Sequence, residues 1–164
     1  MKTMILAATL ASTLATSAIA DETGPAMWLE KFKALEGEWI QQGEAMKGAK
    51  VTYHVTSGGT VVLETLFAGS DHEMMTTYFL DGEDLVLTHY CHLGNRPHMK
   101  AASPEEGTFE FSFVGPSTIE NEAHMHSARF EFEGEDRVHV RWTLFDGGKP
   151  GHQVELDLAR VAKE

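Results

Sequence analysis

Eight side chains of this 164-residue chain have the types and spacing to act together: Tyr53, Glu64, Tyr78, His89, Cys91, His124, His126 and Trp142. His89 and Cys91 are two residues apart, as are His124 and His126, so in an extended chain each pair shares one face. Imidazole, thiolate and carboxylate suit Zn or Cu. A metal site would draw on His89, His124 and His126, with Cys91 or Glu64. The plainer alternative is a set of satisfied core histidines in a hydrated barrel. His72-Glu73-Met74-Met75-Thr76 is not a zinc-protease motif, because Thr76 stands where the second histidine is needed. There is no phosphate loop and no G-x-S-x-G elbow. Cys91 and His89 are not expected to form a nucleophile–base dyad, since side chains at i and i+2 lie parallel.

The elements that must position these residues are strands. From His72 to Met99 the chain reads as two strands joined at Asp81-Gly82, then a turn at Gly94-Asn95; Asp-Gly between alternating runs is a strong hairpin signal. A turn at Asp81-Gly82 or Gly82-Glu83 gives the same parity. Met74, Thr76, Tyr78 and Leu80 then share a face with Leu85, Leu87, His89 and Cys91. That face is the more apolar and is expected to point inward. A lone cysteine in an oxidising compartment survives best when buried, which agrees with an inward Cys91.

Further strand signals span Glu38–Ala45, Lys50–Ser57, Thr60–Ala68, Pro97–Ala102, Thr108–Val114, His124–Glu133, Arg137–Phe145 and Gln153–Val161. About ten strands in sequential antiparallel order predict an all-β fold: one closed up-and-down barrel, which leaves no bare edge. A short helix precedes it. Gly24-Pro25 opens the helix, Trp28, Phe32 and Leu35 form its apolar stripe, and Gly37 ends it, so it is expected to plug one barrel end. Around Gly58-Gly59, Tyr53 should pair with Glu64 on a face shared with Val51, Val55, Val62 and Leu66; the opposite face, with Thr52, His54, Val61 and Leu63, is almost as apolar, which leaves the orientation of this hairpin open. An inward carboxylate there must be paired or hydrogen-bonded. A Gly134-Glu135-Asp136 connection would align His126, Ala128, Phe130 and Phe132 with Val138, Val140, Trp142 and Leu144. That register segregates the apolar residues. It places His124 and His126 inward near one end and His139 outward.

Length fits one domain. Residues 1–20 read as a signal peptide, with Lys2, an apolar stretch and Ala18-Ile19-Ala20 as the cleavage site; the barrel domain is residues 21–164. The apolar stretch is too short to span a membrane. No cysteine follows the cleavage site, so no lipid anchor is expected. Lys2 is the only charged residue in the first twenty; cleavage leaves 12 basic against 25 acidic residues, a net charge of −13. Such a surface excludes nucleic acid and anionic lipid as partners.

Gly37-Glu38-Trp39, opening the first strand after a helix, resembles the G-x-W of calycin-type barrels such as lipocalins. The ten-strand meander with a leading helix resembles the nitrobindin-like, haem-binding barrels more closely. Their pattern is G-x-W-x-G-x-G; this chain keeps Gly37, Trp39 and Gly43 but has Gln41 where a glycine is expected. Nearly the whole mature chain, through the string ETLF, HEM, LTHYC, GN-P and HMHS, is similar to secreted bacterial barrels of unknown function. The nitrobindin likeness implies haem held by a histidine near the last strand, where His152 stands.

The expected function is therefore an exported, periplasmic or extracellular barrel that binds a small hydrophobic or amphipathic molecule in an apolar pocket with a few polar groups. A haem- or transition-metal-binding barrel, with haem or Zn as the cofactor, is the second reading, and a small hydrolase or isomerase the third. Oligomeric state is left open. N-terminal sequencing of the exported protein should begin at Asp21; a mature pool that retains Met1 overturns the export reading.

Overall fold

The computed structural model describes residues 24–105 and 107–162; the expected leader and its cleavage point lie outside them. Helix α1 (Pro25–Lys33) leads into ten strands. These are β1 (Gly37–Gln41), β2 (Lys50–Thr56), β3 (Val61–Leu66), β4 (Met74–Asp81), β5 (Asp84–Tyr90), β6 (His98–Ala101), β7 (Thr108–Gly115), β8 (His124–Glu133), β9 (Arg137–Asp146) and β10 (Lys149–Arg160). Each pairs antiparallel with its neighbours in sequence, and β1 pairs with β10, so the sheet closes into an up-and-down barrel. No helix among the described residues is long and apolar enough to cross a membrane.

Strand registers follow the side-chain alternation. Tyr53 opposes Glu64, Glu64 opposes Thr76, and Thr76 opposes His89. The β4–β5 turn is Gly82-Glu83, with Asp81 opposite Asp84. Val51, Tyr53, Val62, Glu64, Leu66, Thr76, Tyr78, Leu85, Leu87 and His89 are all buried, so this part of the inward face is as expected.

The helix closes one end. Phe32 is fully buried and stacks on Tyr78 at 4.7 Å, with Phe109, Phe111, Phe130 and Phe132 presenting edges at 5.2–5.7 Å. Edge-to-face packing of this kind adds about 0.5–1.5 kcal/mol per pair beyond burial. Leu29 and Leu35 complete the buried stripe, while Trp28 is only partly covered. Trp39 donates its indole N–H to the Leu35 carbonyl at 2.8 Å. Arg160 lies 4.4 Å from the Trp39 ring and donates to the carbonyls of Ala34, Glu36 and Glu135. One guanidinium thus ties the helix end, the first strand and the β8–β9 turn to the last strand.

The seam between β1 and β10 explains Gln41. Its side chain is buried, accepts from the Asp157 backbone N–H at 2.6 Å and donates to the Ala45 carbonyl at 2.9 Å. A Cβ at Gly43 would sit 3.1 Å from the Gln41 amide nitrogen, so Gly43 makes room for that amide. β1 ends at Gln41 rather than at Ala45 because the chain turns back here, with Gly48 donating to the Gln41 carbonyl and Gln41 to that of Ala49. Gln41→Ala should strand the Asp157 N–H and lower unfolding free energy by about 1–3 kcal/mol in denaturant titration; no change would show that the amide does not hold the seam.

Candidate functional site

Glu64 is the centre of a buried polar cluster. Tyr53 donates its hydroxyl to Oε1 at 2.7 Å and Tyr78 to Oε2 at 2.8 Å. Thr76, directly opposite Glu64 in the ladder, places its hydroxyl oxygen 3.0 Å from His89 Nδ1. All five side chains are buried, and they come from four consecutive strands, β2 to β5. Burial raises the Glu64 carboxyl above its usual range, opposed by the hydroxyls of Tyr53, Tyr78 and Thr76. Burial and the facing carboxylate push both tyrosines well above 10. Burial alone pushes His89 down to about 4, so the imidazole is neutral at neutral pH.

His89 joins this cluster to a small chamber. Its ring lies 4.8 Å from that of Trp142 on β9, across the barrel. His89 Nε2 and Trp142 Nε1 are buried and meet no hydrogen-bond partner. Both side chains line a chamber of about 90 Å³, together with Leu66, Met125 and Leu156. Met46, Phe67 and Met74 form its neck and also line a larger apolar groove of about 540 Å³ at the barrel end opposite α1. Met46 and Phe67 have φ of 57° and 55°, left-handed values that are uncommon for non-glycine residues and are shared in this chain by Ser57 at 53° in the β2–β3 turn. Glu64 has its donors within the protein, so the free hydrogen-bonding capacity of the chamber rests on His89 and Trp142. No nucleophile faces them, and a histidine of such low basicity is a poor general base.

The structure divides the expected site. Tyr53, Glu64, Tyr78, His89 and Trp142 are linked as described, but Cys91, His124 and His126 are not. β5 stops at Tyr90, and Cys91 begins a turn in which its N–H bonds the Asn95 carbonyl. It is half-buried rather than enclosed, and does not line the chamber. Burial still raises its thiol above the ordinary value. A β-bulge at His126 shifts the register, so Met125 opposes Leu144 and His124 opposes Phe145. Met125 therefore takes the chamber position that alternation assigned to His126. His124, which is buried, and His126 pack instead against Phe113 and Phe145, with His126 stacked on Phe145 at 3.6 Å. His124 Nδ1 donates to the Glu122 carbonyl, which leaves Nε2 to accept from His126 Nδ1 at 3.0 Å.

Among the described residues no three His, Cys, Asp or Glu side chains are grouped so as to hold a metal ion, so His89, His124 and His126 do not form the expected cage. Haem does not fit either. His152 is exposed in the β10 bulge, and His89 faces about 90 Å³, less than the roughly 150 Å³ of an engineered cavity that takes up benzene. Sequence reading missed the role of Thr76, although its parity and its place opposite Glu64 mark it. The neck residues Met46 and Phe67 carried no signal, since both lie in loops. No protein-family model matches the chain, and a search of curated proteins finds no significant match.

His89 makes stability depend on pH. An unfolded histidine titrates near 6.5 and the folded one near 4, so its contribution is complete above 6.5 and is lost as pH falls toward 4. The difference corresponds to about 3 kcal/mol. Glu64, with its raised carboxyl, acts in the opposite sense above pH 4.5, so a comparison isolates the histidine. Between pH of about 7 and about 4, wild type should lose roughly 3 kcal/mol more than His89→Gln in denaturant titrations. Parallel losses would show that His89 is not held neutral.

Proposed function

We propose that this chain is an exported barrel that binds a small amphipathic molecule, whose end enters the chamber while its body lies in the groove outside the neck. The pairing of unpartnered His89 Nε2 and Trp142 Nε1 inside an otherwise apolar chamber carries the reading. A folded protein pairs nearly all its buried polar atoms, and leaving one unpaired costs about 1–3 kcal/mol. Two such atoms on adjoining rings, in a chamber joined to an apolar groove, have the form of a ligand site: apolar walls with few convergent polar groups. Export rests on the sequence of residues 1–20, and the acidic charge suits a soluble carrier or sensor of such molecules.

Met46 stands in the neck and is 43% exposed, so a larger side chain there can obstruct entry without disturbing the core. Protein purified without denaturation from the cells that make it should show a discrete added mass by native mass spectrometry. Met46→Trp should lose most of it while keeping its β-sheet circular dichroism. A wild-type spectrum containing the polypeptide alone, or an added mass that Met46→Trp retains in full, overturns the assignment.

A further inference from the structure

Sulfur is concentrated around the chamber. Met46 and Met74 at the neck and Met125 in the wall bring thioethers to a space of about 90 Å³, and His89 lines it with a buried Nε2 that meets no partner. Neither a carboxylate nor a thiol lines it; Glu64 and Cys91 both lie outside. The donors it offers to a metal are therefore thioether and imidazole, soft or intermediate in character and without charge. The methionines come from separate parts of the barrel: Met46 from the β1–β2 connection, Met74 from the start of β4, and Met125 from β8, where the bulge at His126 sets its register. Methionine is unbranched, with three rotatable bonds, so its sulfur can be drawn to a common point in so small a space. The groove outside the neck carries His72 and His92, with rings 5.0 Å apart, so further imidazoles stand on the way in.

We infer that the chamber binds one Cu(I) ion through the thioether sulfurs of Met46, Met74 and Met125 and through Nε2 of His89. Thioether donors select Cu(I), and imidazole suits copper as well. Zinc takes cysteine, histidine and carboxylate ligands, of which the chamber has a single histidine. Calcium and magnesium require oxygen ligands, which line none of it. Charge points the same way. With neutral donors, nothing in the walls offsets the charge of an ion, and the cost of desolvation grows with the square of that charge, so a monovalent ion is favoured over a divalent one. The indole of Trp142, its ring 4.8 Å from that of His89, adds the attraction of an aromatic system for a cation. The site asks nothing of the resting histidine tautomer. The Thr76 hydroxyl, 3.0 Å from Nδ1, can donate to that nitrogen or accept from it. Wherever the ring proton rests, an ion at Nε2 leaves it on Nδ1, where the Thr76 oxygen accepts it. The inference goes beyond the binding function proposed above and does not rest on it. An ion in the chamber takes the place of a ligand's inserted end, and the groove outside the neck stays open.

The test is an anaerobic titration of the purified protein with Cu(I) in competition with bicinchoninate, a coloured Cu(I) chelator, and a parallel titration with Zn(II) against a zinc dye. Wild type should take one Cu(I) from the chelator and bind Zn(II) at least about tenfold more weakly. Cys91→Ser should keep the ion, because that thiol does not line the chamber. X-ray absorption of copper-loaded Cys91→Ser should show sulfur neighbours, which in this variant can only be thioethers. Met74→Leu and Met125→Leu keep an apolar side chain of similar volume. Each should weaken Cu(I) binding by at least about tenfold, since loss of even an outer partner of a metal ligand costs roughly 10–100-fold. His89→Gln should do the same. The inference is overturned if wild type yields its Cu(I) to the chelator, if Zn(II) binds as tightly, or if Cys91→Ser loses the ion. It is equally overturned if folded Met74→Leu, Met125→Leu or His89→Gln keeps full affinity. None of these results touches the proposed binding of an amphipathic molecule, which is read from the mass added to the protein as purified. Should a chamber variant not fold, wild type and Cys91→Ser decide the matter by themselves.

Discussion

The inward carboxylate of Glu64 is the constraint on which the rest of the interior depends. A charge in an apolar barrel is tolerated only when its lone pairs are met. Tyr53 and Tyr78 meet them from the two strands flanking β3. A shift of either neighbouring strand by one residue would turn its hydroxyl to the other face of the sheet. The polar cluster therefore enforces the same register that apolar burial favours. It also reaches the histidine beyond it, because Thr76, opposite Glu64 in the ladder, lies 3.0 Å from His89 Nδ1.

Closure of the barrel uses a different device. The β1–β10 register joins three residue pairs, Trp39 to Gln41 against Arg160 to Leu158, flanked by backbone bonds from Gln42 N–H to the Asp157 carbonyl and from Val161 N–H to the Glu38 carbonyl. Two long polar side chains reinforce that short seam. Gln41 reaches the backbone of Asp157, and Arg160 collects carbonyls from the helix end and the β8–β9 turn while lying against Trp39. The departure from a glycine-rich opening motif at Gln41 is thereby a substitution of a side-chain contact for backbone freedom. Gly43 remains glycine because the Gln41 amide occupies the space a Cβ would need.

Period-two alternation made the barrel and half of its interior legible. It works wherever a strand is regular, so Thr76, Tyr78 and His89 could be placed on one face, and Tyr53 opposite Glu64, from parity and turn type, while which face of the Tyr53–Glu64 hairpin points inward stayed open because both are nearly equally apolar. It fails at irregularities. The extra residue at His126 reverses the parity of everything before it on β8, and no residue type there announces a bulge, since neither glycine nor proline is present. Cys91 failed for a related reason: alternation describes a strand but does not say where it stops, and β5 ends at Tyr90, two residues short of the strand read to His92. The neck was illegible because Met46 and Phe67 owe their positions to left-handed backbone in loops, which sequence preference assigns to glycine or asparagine rather than to methionine or phenylalanine.

That mismatch bears on what the interior is built for. Stability alone would favour phenylalanine at position 142 and an aliphatic residue at position 89, since exchanging an unpaired polar atom for an apolar group of similar shape is neutral or stabilising. It would also favour glycine at positions 46 and 67, where the backbone is left-handed. The chain departs from all four preferences around one chamber and its neck, while the opposite end, where Phe32 meets five aromatic rings, is packed with apolar side chains in ordinary contacts. Local departures from folding rules concentrate at functional sites, where stability is exchanged for binding. Ser57, at φ 53° in the β2–β3 turn, is a further such backbone departure at the helix end, so what sets the chamber apart is the two unpartnered ring nitrogens rather than the backbone alone.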